Sequence, residues 1–238
     1  MKRIMLMVLM NILIAPIWFI KLCIYGKNEK YTKEKIYALL KHIILHANRS
    51  GRVKIESYGL ENLPDKDGYI MFPNHQGLFD VLAFFESHPT PFTVVVKKEV
   101  AQVVFLKQIL RAMKAQSIDR NDVKQSLKVI NKMSEEVRQG INYIIFAEGT
   151  RSKNNSLLDF KGGSFKSAIY AKCPIVPVAL IDSYKAFDTN SIKKQTVQIH
   201  YLSPIYYEEY KHLKSTEIAK IVKQRIEDEI NSFVCNNF

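Results

Sequence analysis

Residues 69–80 read YIMFPNHQGLFD, and this stretch decides the fold. Residues 69–72 are apolar and typical of a buried β-strand, and Pro73 stops the run. Polar residues and Gly77 follow, ahead of a second apolar segment that fits the start of a helix. A strand that ends in polar residues and a glycine before a helix is where α/β proteins place their functional groups. We therefore expect this segment to carry an active site.

His75 and Asp80 lie five residues apart in this stretch. On one continuous helix they would be separated by about 500° of rotation and would not share a face. They can meet if His75 lies in the turn and Asp80 in the first helical turn. The carboxylate would then accept the imidazole N–H, and the other ring nitrogen would be a base. The spacing also suits a loop histidine near an ordinary first-turn acid, which the helix dipole favours.

Two further apolar segments end in polar residues that include an arginine. Residues 144–152 read IIFAEGTRS, and this loop offers Arg151 together with backbone N–H groups that suit oxyanions. Residues 117–120 read SIDR and end in Arg120. Three such strand ends in one domain predict a shared anion-binding site beside a histidine base.

Short β-rich runs alternate with helical stretches from residue 53 onward. The predicted strands cover residues 53–58, 69–72, 92–96, 143–146, 175–181 and 196–201. The predicted helices cover about 78–87, 99–113, 122–139, 163–172 and 215–234. This alternation predicts an α/β fold with a mixed, largely parallel sheet flanked by helices. We see no repeat or linker that divides it, so we expect one α/β domain over residues 51–238.

The composition indicates a folded protein in a reducing compartment. Of 238 residues 47% are hydrophobic, and only 9 are Gly and 8 Pro, which excludes disordered and collagen-like chains. The three cysteines are far apart and form no C-x-x-C, so they predict neither a disulfide framework nor a zinc site. Motifs for dinucleotides, P-loops, zinc proteases and serine hydrolases are absent from the sequence.

The positive charge is concentrated near the N-terminus. Residues 1–52 contain ten basic and two acidic residues, which gives +8 of the net +12. The same part holds an uncharged apolar run over residues 4–20. At about 1.5 Å per residue, 22 helical residues would reach about 33 Å, enough to span a bilayer core. A second helix is expected at about 30–48, with lysines near its apolar stripe.

We therefore predict that residues 1–50 form a membrane anchor at an anionic surface, preceding the α/β domain. Pro16 and Lys21 weaken a straight spanning helix, so an in-plane or re-entrant segment stays open. A signal peptide is disfavoured because the run is long and no small-x-small cleavage site follows it. A helix packed on the protein core is the remaining alternative. Nucleic acid is not expected as a partner, because the basic residues alternate with apolar runs.

The motifs at these strand ends resemble those of the glycerophospholipid acyltransferases, specifically the bacterial 1-acyl-sn-glycerol-3-phosphate acyltransferases. The family's N-H-x-x-x-x-D motif matches residues 74–80, and F-P-E-G-T-R-S matches residues 146–152 with Ala147 in the proline position. G-x-x-x-I-D-R is matched only in its last three residues, since Lys114 replaces the glycine. The K-x-E, F-K-x-G and V-P-V segments match at residues 97–99, 160–163 and 176–178.

The resemblance implies a role for each matched residue. His75 would be the general base on a substrate hydroxyl and Asp80 would orient it, with no acyl-enzyme and no metal. Backbone N–H groups near the first motif would hold the oxyanion. Arginine suits bidentate phosphate contacts, so the arginines would bind the glycerol phosphate. For Glu148, ordering of the third-motif loop is the alternative to contact with a glycerol hydroxyl. The residues expected to bind substrate are Lys97, Arg120, Glu148, Gly149, Thr150 and Arg151.

The resemblance also implies the reaction and its place. An acyl group would pass from acyl-CoA or acyl-carrier protein to the sn-2 hydroxyl of 1-acyl-glycerol 3-phosphate (lysophosphatidic acid), giving phosphatidic acid. No bound cofactor is expected, and the enzyme would work at the cytoplasmic face of the cell membrane. The same motifs fit an enzyme that acylates another lysophospholipid or glycerol 3-phosphate. A non-catalytic membrane-binding protein is the alternative outside this class.

Overall fold

The computed structural model describes residues 2–28, 30–102, 104–119 and 122–236. The strands in these ranges are β1 (Val53–Tyr58), β2 (Ile70–Pro73), β3 (Phe92–Lys97), β4 (Gln116–Ile118), β5 (Asn142–Ile144), β6 (Ile175–Ile181) and β7 (Gln195–Tyr201). They form one sheet in the order β1-β7-β6-β2-β5-β3-β4. Strands β6 and β7 pair antiparallel, and the other neighbours pair parallel. The predicted mixed, largely parallel sheet is confirmed.

Helices flank this sheet. Those in the described ranges are α1 (Lys2–Met10), α2 (Ala15–Lys27), α3 (Lys33–Ser50), α4 (Asp80–Ser87), α5 (Val104–Ala112), α6 (Val123–Arg138), α7 (Lys166–Ala171), α8 (Tyr184–Phe187), α9 (Tyr207–Tyr210) and α10 (Ser215–Asn236). The predicted helices at 78–87, 122–139 and 215–234 correspond to α4, α6 and α10. The other two are shorter than predicted, since 3-10 turns precede α5 and α7.

The sheet separates two apolar cores. Along β2, Met71 faces the core formed with α1–α5, whereas Ile70 and Phe72 face the core formed with α6, α7 and α10. This alternation follows the two-residue period of a strand. All of β6 is buried, as expected for a central strand that is covered on both faces.

The apolar run of residues 4–20 does not form one helix, because a break separates α1 from α2. The break covers residues 11–14, where the Asn11 side chain donates to Met7 O and Ser50 Oγ. Pro16 lies in the first turn of α2, where its missing N–H costs no helical hydrogen bond. Among the helices that the structure describes, none alone is long and apolar enough to cross a bilayer. The α1–α2 pair meets that test together, but its axes are bent by 88°.

Arg3 attaches α1 to the α/β domain. Its guanidinium is buried and donates to the carbonyl oxygens of Gly51, Ala186 and Lys193 at 2.5–2.8 Å. The first three helices also contribute apolar side chains to the first core, so they pack on the domain. The predicted boundary at residue 50 stays a prediction. The side chains concerned are Met7, Leu22, Ile36, Tyr37 and Leu40.

The outer side of α1 and α2 exposes a group of large apolar side chains. We call it the N-terminal apolar surface, and it consists of Met5, Val8, Leu9, Met10, Ile12, Leu13, Ile14, Ile17, Ile20 and Ile24. Exposed apolar patches of this kind mark sites of contact with proteins or membranes. Trp18, the one tryptophan of the sequence, instead packs inward on His42 and His46 of α3, with ring centroids 5.8 and 5.4 Å apart.

Lys114 adopts the left-handed backbone conformation, with φ of 54°, two residues before β4. This conformation is costly for a residue with a Cβ atom and is ordinary for glycine. The position is the one that the family's second motif gives to glycine. Lys114 therefore adopts the same left-handed backbone conformation that a glycine would favour at this turn.

Candidate active site

The parallel pairing brings the predicted strand ends to one edge of the sheet. Strands β2, β3, β4, β5 and β6 point the same way, so their carboxyl ends lie side by side. The loops after β2 and β5 are joined directly, since the N–H of Ser152 donates to His75 O at 2.8 Å and that of Lys153 to Gln76 O at 3.1 Å. We call this region the carboxyl edge.

Asp80 is the first residue of α4, and its buried carboxylate turns back toward the loop. His75 Nδ1 lies 2.7 Å from Asp80 Oδ2, so the two side chains meet as the turn geometry predicts. The backbone N–H groups of Gln76 and Gly77 also donate to this carboxylate, at 2.8 and 3.0 Å. The side chain of Ser183 donates to Oδ1 at 2.6 Å. Donors from two segments of the chain therefore fix the carboxylate.

His75 can act as a base through its second nitrogen. Because the Asp80 carboxylate accepts, we infer that Nδ1 carries the hydrogen and that Nε2 is the acceptor nitrogen. The imidazole also stacks on Phe146 from the loop after β5, with ring centroids 4.1 Å apart. Its side chain is 22% exposed, against 1% for Asp80. The ring is held on two sides and still reaches solvent.

Glu148 links the loops after β2 and β5 by accepting hydrogen bonds from backbone N–H groups in both. Its Oε1 accepts from the N–H of His75 at 2.7 Å and its Oε2 from that of Leu158 at 3.1 Å. The side chain is buried, and this burial raises the pKa of its carboxyl. These contacts support the ordering of the loops. The predicted contact of Glu148 with substrate stays a prediction.

Three backbone N–H groups near the first motif already bind carboxylates of the protein. The N–H of His75 donates to Glu148, and those of Gln76 and Gly77 donate to Asp80. The predicted contact of backbone N–H groups near this motif with the oxyanion stays a prediction.

Arg151 lies at the carboxyl edge and is partly paired. Its Nη1 is 3.8 Å from Asp188 Oδ1, and the Arg151 side chain is 35% exposed. Gly149 has φ of 74°, a conformation that glycine adopts without strain, and Thr150 is exposed. The loop thus presents a cationic side chain beside His75, with Asp188 as its acidic neighbour.

Of the other two predicted cations, Lys97 lies in the part of the chain that the structure describes. Lys97, at the end of β3, is exposed and lies 3.4 Å from Glu99. Arg120 lies outside the described residues, so its predicted role stays a prediction. Among the residues that the structure describes, no group of three or more His, Cys, Asp or Glu side chains could hold a metal ion.

Several residues of the carboxyl edge were not predicted. Asn74 bridges β2 to β6, because its amide donates to Leu180 O at 3.0 Å and accepts from Leu180 N at 2.7 Å. The Gln76 amide accepts from the N–H of Ser183 at 2.8 Å, and it donates to Asn155 Oδ1 at 2.9 Å. Asn74 and Gln76 are the sequence neighbours of His75, and this position could have indicated that they belong to the site. No spacing rule points to Ser183 or Asn155.

Comparison with known proteins places the chain among acyltransferases. The acyltransferase family model matches residues 54–181. The chain is 27% identical to the 1-acyl-sn-glycerol-3-phosphate acyltransferase alpha of Mus musculus over 200 residues, which cover 82% of this chain and 68% of the relative. It is 25% identical to the 1-acyl-sn-glycerol-3-phosphate acyltransferase of Salmonella typhimurium over 232 residues, covering 92% and 91%.

A solved structure has the same fold. The crystal structure of the 1-acyl-sn-glycerophosphate (LPA) acyltransferase PlsC from Thermotoga maritima matches with a TM-score of 0.77 and 17% identity, covering 98% of this chain and 96% of that one. The family model covers more than half of this chain and contains the His75–Asp80 pair and the Glu148–Arg151 loop. The chain therefore belongs to the acyltransferase family.

Proposed function

We propose that this protein transfers an acyl group from an acyl thioester to the 2-hydroxyl of 1-acylglycerol 3-phosphate, which gives phosphatidic acid. The observation that carries the proposal is the 2.7 Å contact between His75 Nδ1 and Asp80, beside a loop that bears Arg151. A base next to a cationic loop suits an acceptor that has both a hydroxyl and a phosphate. The names of the relatives from mouse and Salmonella support this acceptor.

The reaction needs one proton transfer in each direction. His75 Nε2 takes the proton from the 2-hydroxyl while that oxygen bonds to the thioester carbonyl carbon. The carbon–sulfur bond of the tetrahedral intermediate then breaks, and the departing thiolate takes the proton from His75. Asp80 stabilises the imidazolium in between. Both substrates are bound together, so no acyl-enzyme forms.

Arg151 is the residue we assign to the acceptor phosphate. A guanidinium can bind two phosphate oxygens at once, and each charge-assisted contact is stronger than a neutral one. Asp188 lies 3.8 Å from the same guanidinium, so an arriving phosphate would replace a carboxylate as its partner. Gly149 and Thr150 would add loop contacts, and Arg120 and Lys97 would complete the cationic surroundings.

The N-terminal apolar surface is proposed to enter the cytoplasmic leaflet of the cell membrane. Lys2, Lys21 and Lys27 are exposed on α1 and α2, where they would contact anionic headgroups. Lysophosphatidic acid lies in that leaflet, and extracting its chain into water would cost about 0.8 kcal/mol per CH₂. An enzyme docked on the leaflet avoids this cost. The bend between α1 and α2 suits in-plane insertion better than a spanning helix.

The test is a substrate panel with the purified full-length protein. Lysophosphatidic acid, another lysophospholipid and glycerol 3-phosphate are each offered with acyl-CoA and with acyl-carrier protein, and products are identified by mass. We expect phosphatidic acid from lysophosphatidic acid, with turnover at least about 100-fold lower in a His75→Ala control. A preference for another acceptor would overturn the proposed substrate, and near-wild-type turnover in the control would overturn the proposed base. The donor panel decides between the two thioesters.

A further inference from the structure

Ser183 contacts the His75–Asp80 pair from the far side, although no motif contains it. It follows β6 by two residues, is fully buried, and donates from Oγ to Asp80 Oδ1 at 2.6 Å. The two contacting residues are 103 positions apart in the chain. The sheet order explains the contact, because β6 and β2 are parallel neighbours and their ends lie together.

The two oxygens of the Asp80 carboxylate have different partners. Oδ2 accepts from His75 Nδ1 and from the N–H of Gln76. Oδ1 accepts from the Ser183 hydroxyl, and the N–H of Gly77 lies 3.0 Å from both oxygens. Rotation of the carboxylate about its Cβ–Cγ bond would break the contacts of both oxygens together. The Ser183 hydroxyl therefore resists the rotation that would release His75.

Ser183 is itself held in place by the segment that carries the base. Its N–H donates to Gln76 Oε1 at 2.8 Å, and the Gln76 amide group also donates to Leu180 O at 2.7 Å. Asp182 is left-handed, with φ of 62°, and its N–H donates to Asn155 Oδ1 at 2.9 Å. A non-glycine residue in this conformation costs free energy, and such strain persists only where the surroundings impose it.

We propose that Ser183 is a positioning residue for acyl transfer: its hydroxyl fixes the plane of the Asp80 carboxylate so that His75 keeps Nε2 toward the acceptor hydroxyl. The proposal rests on the proposed function, in which His75 is the base. Ser183 is buried and donates to the carboxylate rather than to the imidazole, so it differs from the serine nucleophile of a hydrolase triad. It acts through Asp80 and does not contact substrate.

The test compares three variants at Ser183 with a matched control. Ser183→Ala removes the hydroxyl, Ser183→Thr keeps it, and Ser183→Cys leaves a weak donor. Ser167→Ala is the control, because Ser167 is equally buried and its hydroxyl donates to Ser164 O on the other face of the sheet. We expect kcat to fall about tenfold in Ser183→Ala, with KM for both substrates within twofold of wild type. Ser183→Thr should restore most of kcat, and the control should retain it.

The outcomes separate this proposal from the proposed function. Near-wild-type activity in His75→Ala would rule out His75 as the base and with it both proposals. Loss of activity in His75→Ala together with wild-type kcat in Ser183→Ala would overturn only the role of Ser183. An equal loss in Ser183→Ala and Ser183→Thr, both with wild-type thermal transitions, would also overturn it. If the threonine variant does not fold, Ser183→Cys takes its place in the comparison. A kcat of Ser183→Cys no higher than that of Ser183→Ala would then overturn the role of the Ser183 hydroxyl.

Discussion

At the carboxyl edge, the buried Asp80 and Glu148 carboxylates accept hydrogen bonds from the chain, whereas at the N-terminal apolar surface the large side chains face solvent. Leu13, at the bend, is 89% exposed. The first region is already ordered by its own contacts. The second gains free energy only when something apolar covers it. We propose that catalysis and membrane docking depend on separate parts of the chain, and the predictions below test that separation.

The largest expected effect is on chemistry alone. His75→Ala should lower kcat by about 10²–10⁴-fold, because a general base contributes that much. Flotation with vesicles and the thermal transition should stay at wild-type values. Loss of vesicle binding in this variant would contradict the separation of the two regions.

The converse change is in the N-terminal apolar surface. Leu9, Leu13 and Ile17 are all more than half exposed, so replacing the three by serine should leave the fold intact. Their exposed fractions of 66%, 89% and 53% amount to about two fully exposed side chains, and burial of each would contribute about 1.5–3 kcal/mol. Vesicle affinity should therefore fall by about 4 kcal/mol, near 10³-fold. Turnover of detergent-dispersed lysophosphatidic acid should persist. Val123→Ser is the control, since Val123 is 80% exposed on α6.

Salt distinguishes charge attraction from apolar insertion at the N-terminal apolar surface. High salt should weaken binding of the wild-type protein to anionic vesicles without releasing it, whereas detergent should release it. Complete release by salt would mean that only charge holds the protein on the membrane. Deleting residues 1–50 is a poorer test, because Leu22 and Leu40 would leave the first core and the remainder would lose stability.

His88 directly follows α4 and contacts α3. Tyr37 and Lys41 of α3 donate to its carbonyl oxygen, and burial lowers its pKa from 6.5 to about 4. The unfolded chain binds this proton below about pH 6.5 and the folded chain only below about pH 4. The free energy of unfolding should therefore fall by about 3 kcal/mol as the pH drops from about 6.5 to about 4. Above this range His88 should not change the stability with pH.

Urea unfolding at pH 7 and pH 4.5 checks this. The wild-type protein should lose more stability between the two values than His88→Gln, whose side chain does not titrate. Equal losses in both proteins would show that His88 is not the group responsible.

Arg151 tests the cationic part of the carboxyl edge. Arg151→Ala should raise KM for lysophosphatidic acid by roughly 10–150-fold, the equivalent of about 1.5–3 kcal/mol for a charged hydrogen bond. KM for the acyl donor should change little. Asp188→Asn should act in the opposite sense and lower KM for the acceptor, because it removes a competing carboxylate. Equal changes for donor and acceptor in Arg151→Ala would indicate a structural role.

The smallest expected effect is on the turn before β4. Lys114→Gly should stabilise the protein by about 0.5–1 kcal/mol, because glycine adopts the left-handed conformation without strain. Lys107→Gly, in α5, should destabilise it by about 1 kcal/mol. Destabilisation by both substitutions would show that the lysine side chain, and not its backbone, matters at position 114.

Much of this architecture follows from local sequence pattern. Strands β1 and β6 match their predicted ranges. Strand β6 is an apolar run that ends at Asp182, and β1 contains Val53, Ile55 and Tyr58, residue types that favour strands. The contact of His75 with Asp80 follows from one turn and one helix start, which five residues of sequence can specify. The acyltransferase family was also predicted from its motifs and is confirmed.

The remainder depends on contacts between distant segments. Ser183 reaches Asp80 only because β6 lies next to β2, and strand order cannot be seen in a motif. Pro16 indicated that a straight helix was unfavourable, but the break at residues 11–14 also involves a contact of the Asn11 side chain with Ser50 of another helix, which the apolar run cannot show. Lys97 follows a strand end like the others and lies 3.4 Å from Glu99, and its predicted contact with substrate stays a prediction.

Trp18 gives the protein an internal optical reporter. The sequence has one tryptophan, and its indole packs between α2 and α3 against His42 and His46. Tryptophan emission, excited selectively over the tyrosines, therefore originates from the N-terminal helices and not from the carboxyl edge. A spectral change on adding vesicles reports rearrangement or docking of those helices without any attached dye, and the signal can be followed on the stopped-flow timescale while catalysis proceeds.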